Sequence, residues 1–306
     1  MRFRAIFACL LWGSAFAGAK IGLQYAEPIF LSGVRFTLAG LMLVPVMLFR
    51  NVNFLQEIKK HWKFMLIFAL LQTFVQYGLF FLGIDKVPGA TSSIIMGGGP
   101  LVVAIMAYLA CINDKLTLRK LIAIILGLSG IAFISLAKGS TSTDNPEFYT
   151  GVALLLLSMI IGAYTNILVA QKKNSNISPY ALTSFAHILG GIMLLITSFI
   201  SEDQNSFHFP VEFYGALFWL AFISSAGFSL WYGLINRPDV KVSELNIWKF
   251  LVPVTGSILS WILVKGESPD VPTVVGMVII SAALVLVQVP DSWYQRLRKV
   301  RIFKRV

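Results

Sequence analysis

Ten apolar stretches, each long enough to cross a lipid bilayer, occupy nearly all of this 306-residue chain, and that pattern leaves few folds open. They run Arg4–Leu23, Pro28–Phe49, Trp62–Ile84, Pro88–Cys111, Arg119–Lys138, Thr150–Gln171, Pro179–Ser201, Val211–Ile235, Ser243–Lys265 and Val271–Val289. A helix needs roughly 20 apolar residues to span about 30 Å of hydrocarbon. Hydrophobic residues make up 57% of the chain and charged ones 13%, with a mean hydropathy of +0.78. A water-soluble domain would have almost no polar sequence left for its surface. The expected class is an all-α integral membrane protein of ten transmembrane helices.

Arg2 and Arg4 before an apolar run, with Ala15-Phe16-Ala17 behind it, imitate a cleavable signal. Nine further spans follow, and the repeat described below needs the first, so it is read as a retained helix. Alternating sides from the N-terminus puts nineteen basic residues on the side of both termini, against three (Lys86, Lys138 and Lys265) on the other. Positive charge is retained in the cytoplasm, which predicts a multi-pass protein of a cell inner membrane with both termini cytoplasmic. The net charge of +11 is then mostly a topology signal. The basic tail, with Arg296, Arg298, Lys299, Arg301, Lys304 and Arg305, fits anionic lipid and not nucleic acid. Cys9 and Cys111 fall on the reducing side, so no disulfide is expected.

The second half of the chain repeats the layout of the first. Pro100 matches Pro253, Pro28 matches Pro179, Gly127 falls against Gly276, and Trp12-Gly13-Ser14 against Ile161-Gly162-Ala163. Five spans per half, an odd number, make the halves enter the membrane in opposite directions. Inverted repeats of this kind mark transporters whose substrate site lies near the midplane between the halves. The expected organisation is a first repeat over 1–138, a polar linker over 139–149, a second repeat over 150–289 and a cytoplasmic tail over 290–306.

Several words of the sequence resemble the EamA-type branch of the drug/metabolite transporter superfamily. They are Leu11-Trp12-Gly13-Ser14-Ala15-Phe16, Arg35-Phe36, Val87-Pro88-Gly89-Ala90-Thr91-Ser92, Pro100, Asp114-Lys115-Leu116-Thr117 and the glycine of the fifth span. The resemblance covers about residues 3–289. It implies a permease that exports or exchanges amino acids, metabolites or xenobiotics, and it leaves the cargo open.

The most unusual local feature is Gly97-Gly98-Gly99-Pro100. Glycine costs a helix about 1 kcal/mol, and proline removes a backbone hydrogen bond. Two readings follow: a hinge or gate in the fourth span, mirrored by Pro253 in the ninth, or close helix packing through small residues. Three basic residues lie inside spans, Lys20, Arg35 and Lys249. Lys20, one turn from a helix end, can snorkel. Arg35 has two readings, a structural pairing with a carbonyl or Glu27, or contact with substrate. Lys249, aromatic-flanked in Trp248-Lys249-Phe250 beside Pro253, is the strongest candidate to face a cavity. Trp12, Gln72, Gln76, Tyr77, Asn166, Trp231, Tyr232 and Asn246 are the further candidate substrate-binding residues. His187 is either a proton shuttle or, more simply, a satisfied structural group.

No Asp or Glu lies deep in any span. A cavity that is neutral to positive favours cargo with a carboxylate or another anionic group. There is no phosphate-binding loop, metal-spaced His/Cys set or catalytic triad, so neither an enzyme, a cofactor nor a partner ATPase is expected. The reading is a gradient-driven exporter of small amino-acid-like metabolites working by alternating access. An organic-anion or organophosphate exchanger is the alternative, and a channel or a non-transporting membrane protein belongs to other classes.

Overall fold

The computed structural model describes residues 2–110, 118–141, 146–172, 175, 177–203, 208–237, 240, 245 and 247–288. Among these residues every regular element is helical. The helices are α1 (Arg2–Gly22), α2 (Pro28–Phe49), α3 (Phe54–Phe68), α4 (Gln76–Lys86), α5 (Gly89–Gly97), α6 (Gly99–Leu109), α7 (Leu118–Thr141), α8 (Pro146–Gln171), α9 (Pro179–Ser201), α10 (Val211–Ile235), α11 (Leu251–Leu263) and α12 (Val271–Gln288). A π-helical stretch, Ala69–Val75, joins α3 to α4, and a 3₁₀ turn, Ile247–Phe250, leads into α11. Among the described residues, seven helical segments are long and apolar enough to cross a membrane, and three shorter apolar helices accompany them, Leu121–Ala137, Leu251–Leu263 and Val271–Leu286.

Proline sets the starts of α2 and α9, at Pro28 and Pro179, because its missing N–H costs nothing in a first turn. There the helices begin and end where the apolar pattern predicts. The third span departs from its expected limits, Trp62–Ile84. Its helix starts eight residues earlier, where the Asn53 side chain accepts from the Gln56 N–H at 3.1 Å. The backbone then kinks at His61 (φ −126°, ψ 16°). The charged first turns are thus helical, outside the apolar run.

The expected proline break in the fourth span falls at Gly98 instead of Pro100. The Gly98 N–H bonds to Ile95 O at 3.0 Å, a tightened turn, and Pro100 sits in the first turn of α6, where no N–H is required. Pro253 likewise lies in the first turn of α11, after the 3₁₀ turn.

Packing follows a recurring scheme. α2 lies against α9, α5 against α11 and α7 against α12, while α1 packs on α10 and α11 as α8 packs on α4 and α6. Small residues permit the closest crossings. At the α2–α9 crossing a Cβ on Gly191 would lie 2.5 Å from the backbone nitrogen of Thr37, and one on Gly40 would lie 2.8 Å from that of Ile188. Backbone cannot yield as a side-chain tip can, so Gly191→Leu is expected to destabilise the fold by at least about 1–3 kcal/mol, the usual cost of overpacking. A thermal melt of the purified variant in detergent checks this, and an unchanged midpoint contradicts the crossing.

Carboxylates tie the elements together at their ends. Glu202, after α9, accepts from the N–H groups of Ile29 (2.6 Å) and Phe30 (2.8 Å) at the start of α2. Glu57, near the start of α3, accepts from the N–H of Ser178, just before α9, at 3.2 Å. Glu267 accepts from Gly89 (2.6 Å) and Ala90 (3.0 Å) at the start of α5. Negative charge there satisfies orphan donors and complements the helix dipole. Lys20 does not simply snorkel: its ammonium donates to the carbonyls of Ile84 (3.0 Å) and Asp85 (3.1 Å) at the end of α4.

Candidate functional site

A cavity of about 130 Å³ lies among α1, α2, α4, α5, α6, α8, α10, the 3₁₀ turn and α11. Its polar wall is built from residues singled out by the sequence: Trp12, Arg35, Gln76, Tyr77, Asn166, Trp231, Tyr232 and Lys249, with Thr165 added. Gly99 lines it as well. The remaining surface is apolar and includes Phe16, Phe80, Met96, Val103, Met159 and Phe228. An apolar residue in an apolar helix carries no contrast with its neighbours, so sequence reasoning had no signal for these.

Lys249 projects from the 3₁₀ turn between two indoles. Its ammonium lies 4.6 Å from the centre of the Trp231 ring and 5.5 Å from that of Trp12. The ring quadrupole attracts such a cation, by about 2 kcal/mol or more when water is excluded. The indoles are themselves held: Trp231 donates its Nε1–H to Asn166 Oδ1 at 2.9 Å, and Asn166 Nδ2 donates to Gly162 O at 2.6 Å. The Trp12 ring lies 5.0 Å from that of Trp231 and 5.2 Å from that of Phe228. Asn166 is therefore a bracket for the ring pair.

Arg35, on α2, is the second cation. Its Nε donates to Ser224 Oγ at 2.9 Å, and the guanidinium carbon lies 4.8 Å from the Phe36 ring centre, 5.4 Å from Phe81 and 5.7 Å from Tyr77. It is not paired with Glu27, which sits exposed at the start of α2. That expectation is corrected: a buried guanidinium seven residues into the helix points to the bundle interior, while Glu27 stays in the wet end region.

Gln72 is the candidate that the structure sets apart from the cavity. It lies in the π-helical stretch, where each turn takes up more residues than in an α-helix, so spacing of four from Gln76 no longer means a shared face. Its Oε1 accepts from the Thr73 hydroxyl at 2.7 Å, and Thr73 Oγ1 lies 3.2 Å from Nδ1 of the fully buried His187. Asn246 lies outside the described residues.

The glycine run meets the ninth span directly. A Cβ on Gly97 would lie 2.7 Å from Pro253 Cγ, and one on Gly98 would lie 3.0 Å from Ile131 Cδ1, whereas Gly99 has only Met159 Cγ near, at 3.7 Å. Ser93 Oγ donates to Pro253 O at 3.3 Å and lies 3.1 Å from Ser257 Oγ. Gly97 is thus closely packed on Pro253, and Gly99 stands on the cavity wall. Among the described lining residues there is no carboxylate, and no group of three or more His, Cys, Asp or Glu could hold a metal.

Comparison with known proteins gives a consistent placement. The sequence profile of the EamA-like transporter family matches residues 3–136 and again residues 149–289. An uncharacterized transporter of Bacillus subtilis (strain 168), YvbV, is 26% identical over 284 residues, 92% of this chain and 89% of that protein. The S-adenosylmethionine/S-adenosylhomocysteine transporter of Chlamydia muridarum (strain MoPn / Nigg) is 24% identical over 285 residues, 90% of this chain and 88% of that one. A solved crystal structure superposes with a TM-score of 0.70 at 17% identity, over 93% of this chain and 96% of the other. That likeness is one of fold.

Proposed function

Because this chain belongs to the EamA-like transporter family, we propose that it moves small carboxylate-bearing metabolites, amino acids among them, by alternating access and in the direction of export. Its membrane-spanning helices and transporter relatives make it a multi-pass membrane transporter. The observation that carries the substrate reading is Lys249, held between Trp12 and Trp231 on the cavity wall with no carboxylate among the described lining residues. An anionic group on the cargo offsets the cost of a buried cation. The relatives named for S-adenosylmethionine and S-adenosylhomocysteine handle molecules with an α-amino carboxylate at one end, and Lys249 is suited to that end. The positive sulfonium of S-adenosylmethionine finds no acidic partner among the described lining residues. The remaining candidates, Gln76, Tyr77, Tyr232 and Asn166, shape the space around the cargo.

Ten helices in two inverted repeats, 1–138 and 150–289, with 139–149 as linker and 290–306 as a lipid-facing basic tail, is the arrangement behind this mechanism. Two matches of one family profile support it. So does the packing scheme, which maps onto itself when the halves are exchanged: α1 on α10 becomes α8 on α4, and α1 on α11 becomes α8 on α6. Gly97, Gly98, Gly99 and Pro100 against Pro253 form the gate in this reading, because both halves change helix geometry there.

Both termini are placed in the cytoplasm of a cell inner membrane, on the asymmetry of nineteen basic residues to three. Alkaline phosphatase fused after Asp144 is expected to be active and after Val306 inactive; the reverse pattern rejects this orientation. The transport reading is tested by uptake of labelled amino acids into proteoliposomes, with and without a pH gradient. Protein-dependent uptake supports it, and none above empty liposomes overturns it. Two cations on the cavity wall also favour a second reading, an organic-anion or organophosphate exchanger. In that case phosphate trapped inside the liposomes accelerates uptake.

A further inference from the structure

Arg35 presents a charge that the described protein does not neutralise. The residue is 2% exposed, its Nε is taken by Ser224 Oγ, and its Nη1 has no hydrogen-bond partner. Ser224 serves Nε alone: its hydroxyl accepts there and donates to Leu220 O at 2.9 Å. A guanidinium does not lose its proton in a protein, so the charge persists. Contacts with the rings of Phe36, Phe81 and Tyr77 soften its burial, but they leave the N–H donor unmet. An unsatisfied charged donor away from water is costly.

The described acids do not solve this problem. Glu202 and Glu267 cap helix starts and Glu57 accepts from Ser178, all at the ends of the bundle. On the cavity wall the surplus is again of donors: the Trp12 Nε1–H is buried without a partner, and the Lys249 ammonium is the second cation. One monoanionic cargo at Lys249 leaves Arg35 uncompensated, and between cargoes both cations stand bare. A ligand that is always present, small, negative and an acceptor only would meet these demands.

We propose that Arg35 holds a small monovalent inorganic anion, chloride in ordinary media, in the wall of the transport cavity, and that this anion stays bound while cargo occupies Lys249. The guanidinium, which lines the cavity, donates to the anion from that wall, and the neighbouring rings exclude competing water. Two cations are then matched by two anions in the loaded cavity, one resident and one carried. Only the role of Lys249 rests on the transport reading; the anion site stands on the environment of Arg35.

The test uses the purified full chain in detergent without cargo, with chloride itself as the probe. Excess line broadening in the ³⁵Cl resonance is expected for the wild type, saturating with chloride and reversed by added bromide. Lys249→Gln is expected to keep it, and Arg35→Gln to lose it. In parallel, replacing chloride by methanesulfonate, a bulkier anion without a carboxylate, at constant ionic strength is expected to lower the wild-type melting midpoint by several degrees. This second measurement decides the matter if Arg35→Gln does not fold. Absence of saturable broadening in the wild type, equal broadening in a folded Arg35→Gln, or an unchanged midpoint in methanesulfonate overturns the site. Such a failure leaves the transport reading intact, because that is judged by uptake and by Lys249→Gln. A failed transport assay equally leaves the chloride titration standing.

Discussion

Gly99→Leu is expected to abolish transport in a protein that still folds. Gly99 is the first residue of α6 and lines the cavity, and its neighbour on that side is Met159, 3.7 Å from where a Cβ would stand. The added side chain therefore meets ordinary contact at its root and projects into a space of about 130 Å³. Backbone conformation is no obstacle, because Gly266 is the only described glycine in the left-handed region. Gly97→Ala provides the contrast. Its methyl group would press on the Pro253 ring, so a stability loss of about 1–3 kcal/mol is expected, a cost that the cavity-facing Gly99 does not carry. Melting midpoints and uptake rates measured on the same preparations separate the two effects. A well-folded Gly99→Leu that transports at the wild-type rate means that the cargo does not pass this cavity.

Lys249→Gln is expected to weaken carboxylate-bearing cargo by about 1–3 kcal/mol, the scale of a charge-assisted hydrogen bond, or from about fivefold to 150-fold in affinity. The substitution keeps a comparable length and polarity and removes the cation that sits over Trp231 and Trp12. A neutral amide analogue of the same cargo is expected to lose much less. Binding measured by quenching of tryptophan fluorescence is a direct readout, since both indoles line the cavity. Unchanged carboxylate affinity in the variant, or a preference of the wild type for lipophilic cations, assigns Lys249 a structural role.

Much of the fold and part of the candidate site were legible because a membrane makes polar exceptions conspicuous. Arg35 and Lys249 stand out in apolar helices, where a charge needs a reason, and both line the cavity. Trp12 and Asn166 showed for the same cause. The apolar walls, Phe16, Phe80 and Phe228, were invisible, since they resemble every lipid-facing neighbour. Gln72 misled because the periodicity used to group it with Gln76 belongs to an α-helix, and the π-helical stretch that separates them has no composition of its own. The end caps at Glu202 and Glu267 also escaped. Each joins segments more than 170 residues apart, a pairing that helical periodicity along the chain does not encode.

The most direct test of the central claim, that a positive, aromatic cavity carries anionic metabolites, is uptake into proteoliposomes of matched pairs: an amino acid or simple carboxylate against its neutral amide. Each pair is measured with wild type and with Lys249→Gln. The account predicts protein-dependent uptake that favours the carboxylate member in the wild type, and a preference that collapses in the variant while the amide rate hardly moves. Equal uptake of both members by the wild type, or a carboxylate preference untouched by Lys249→Gln, contradicts it.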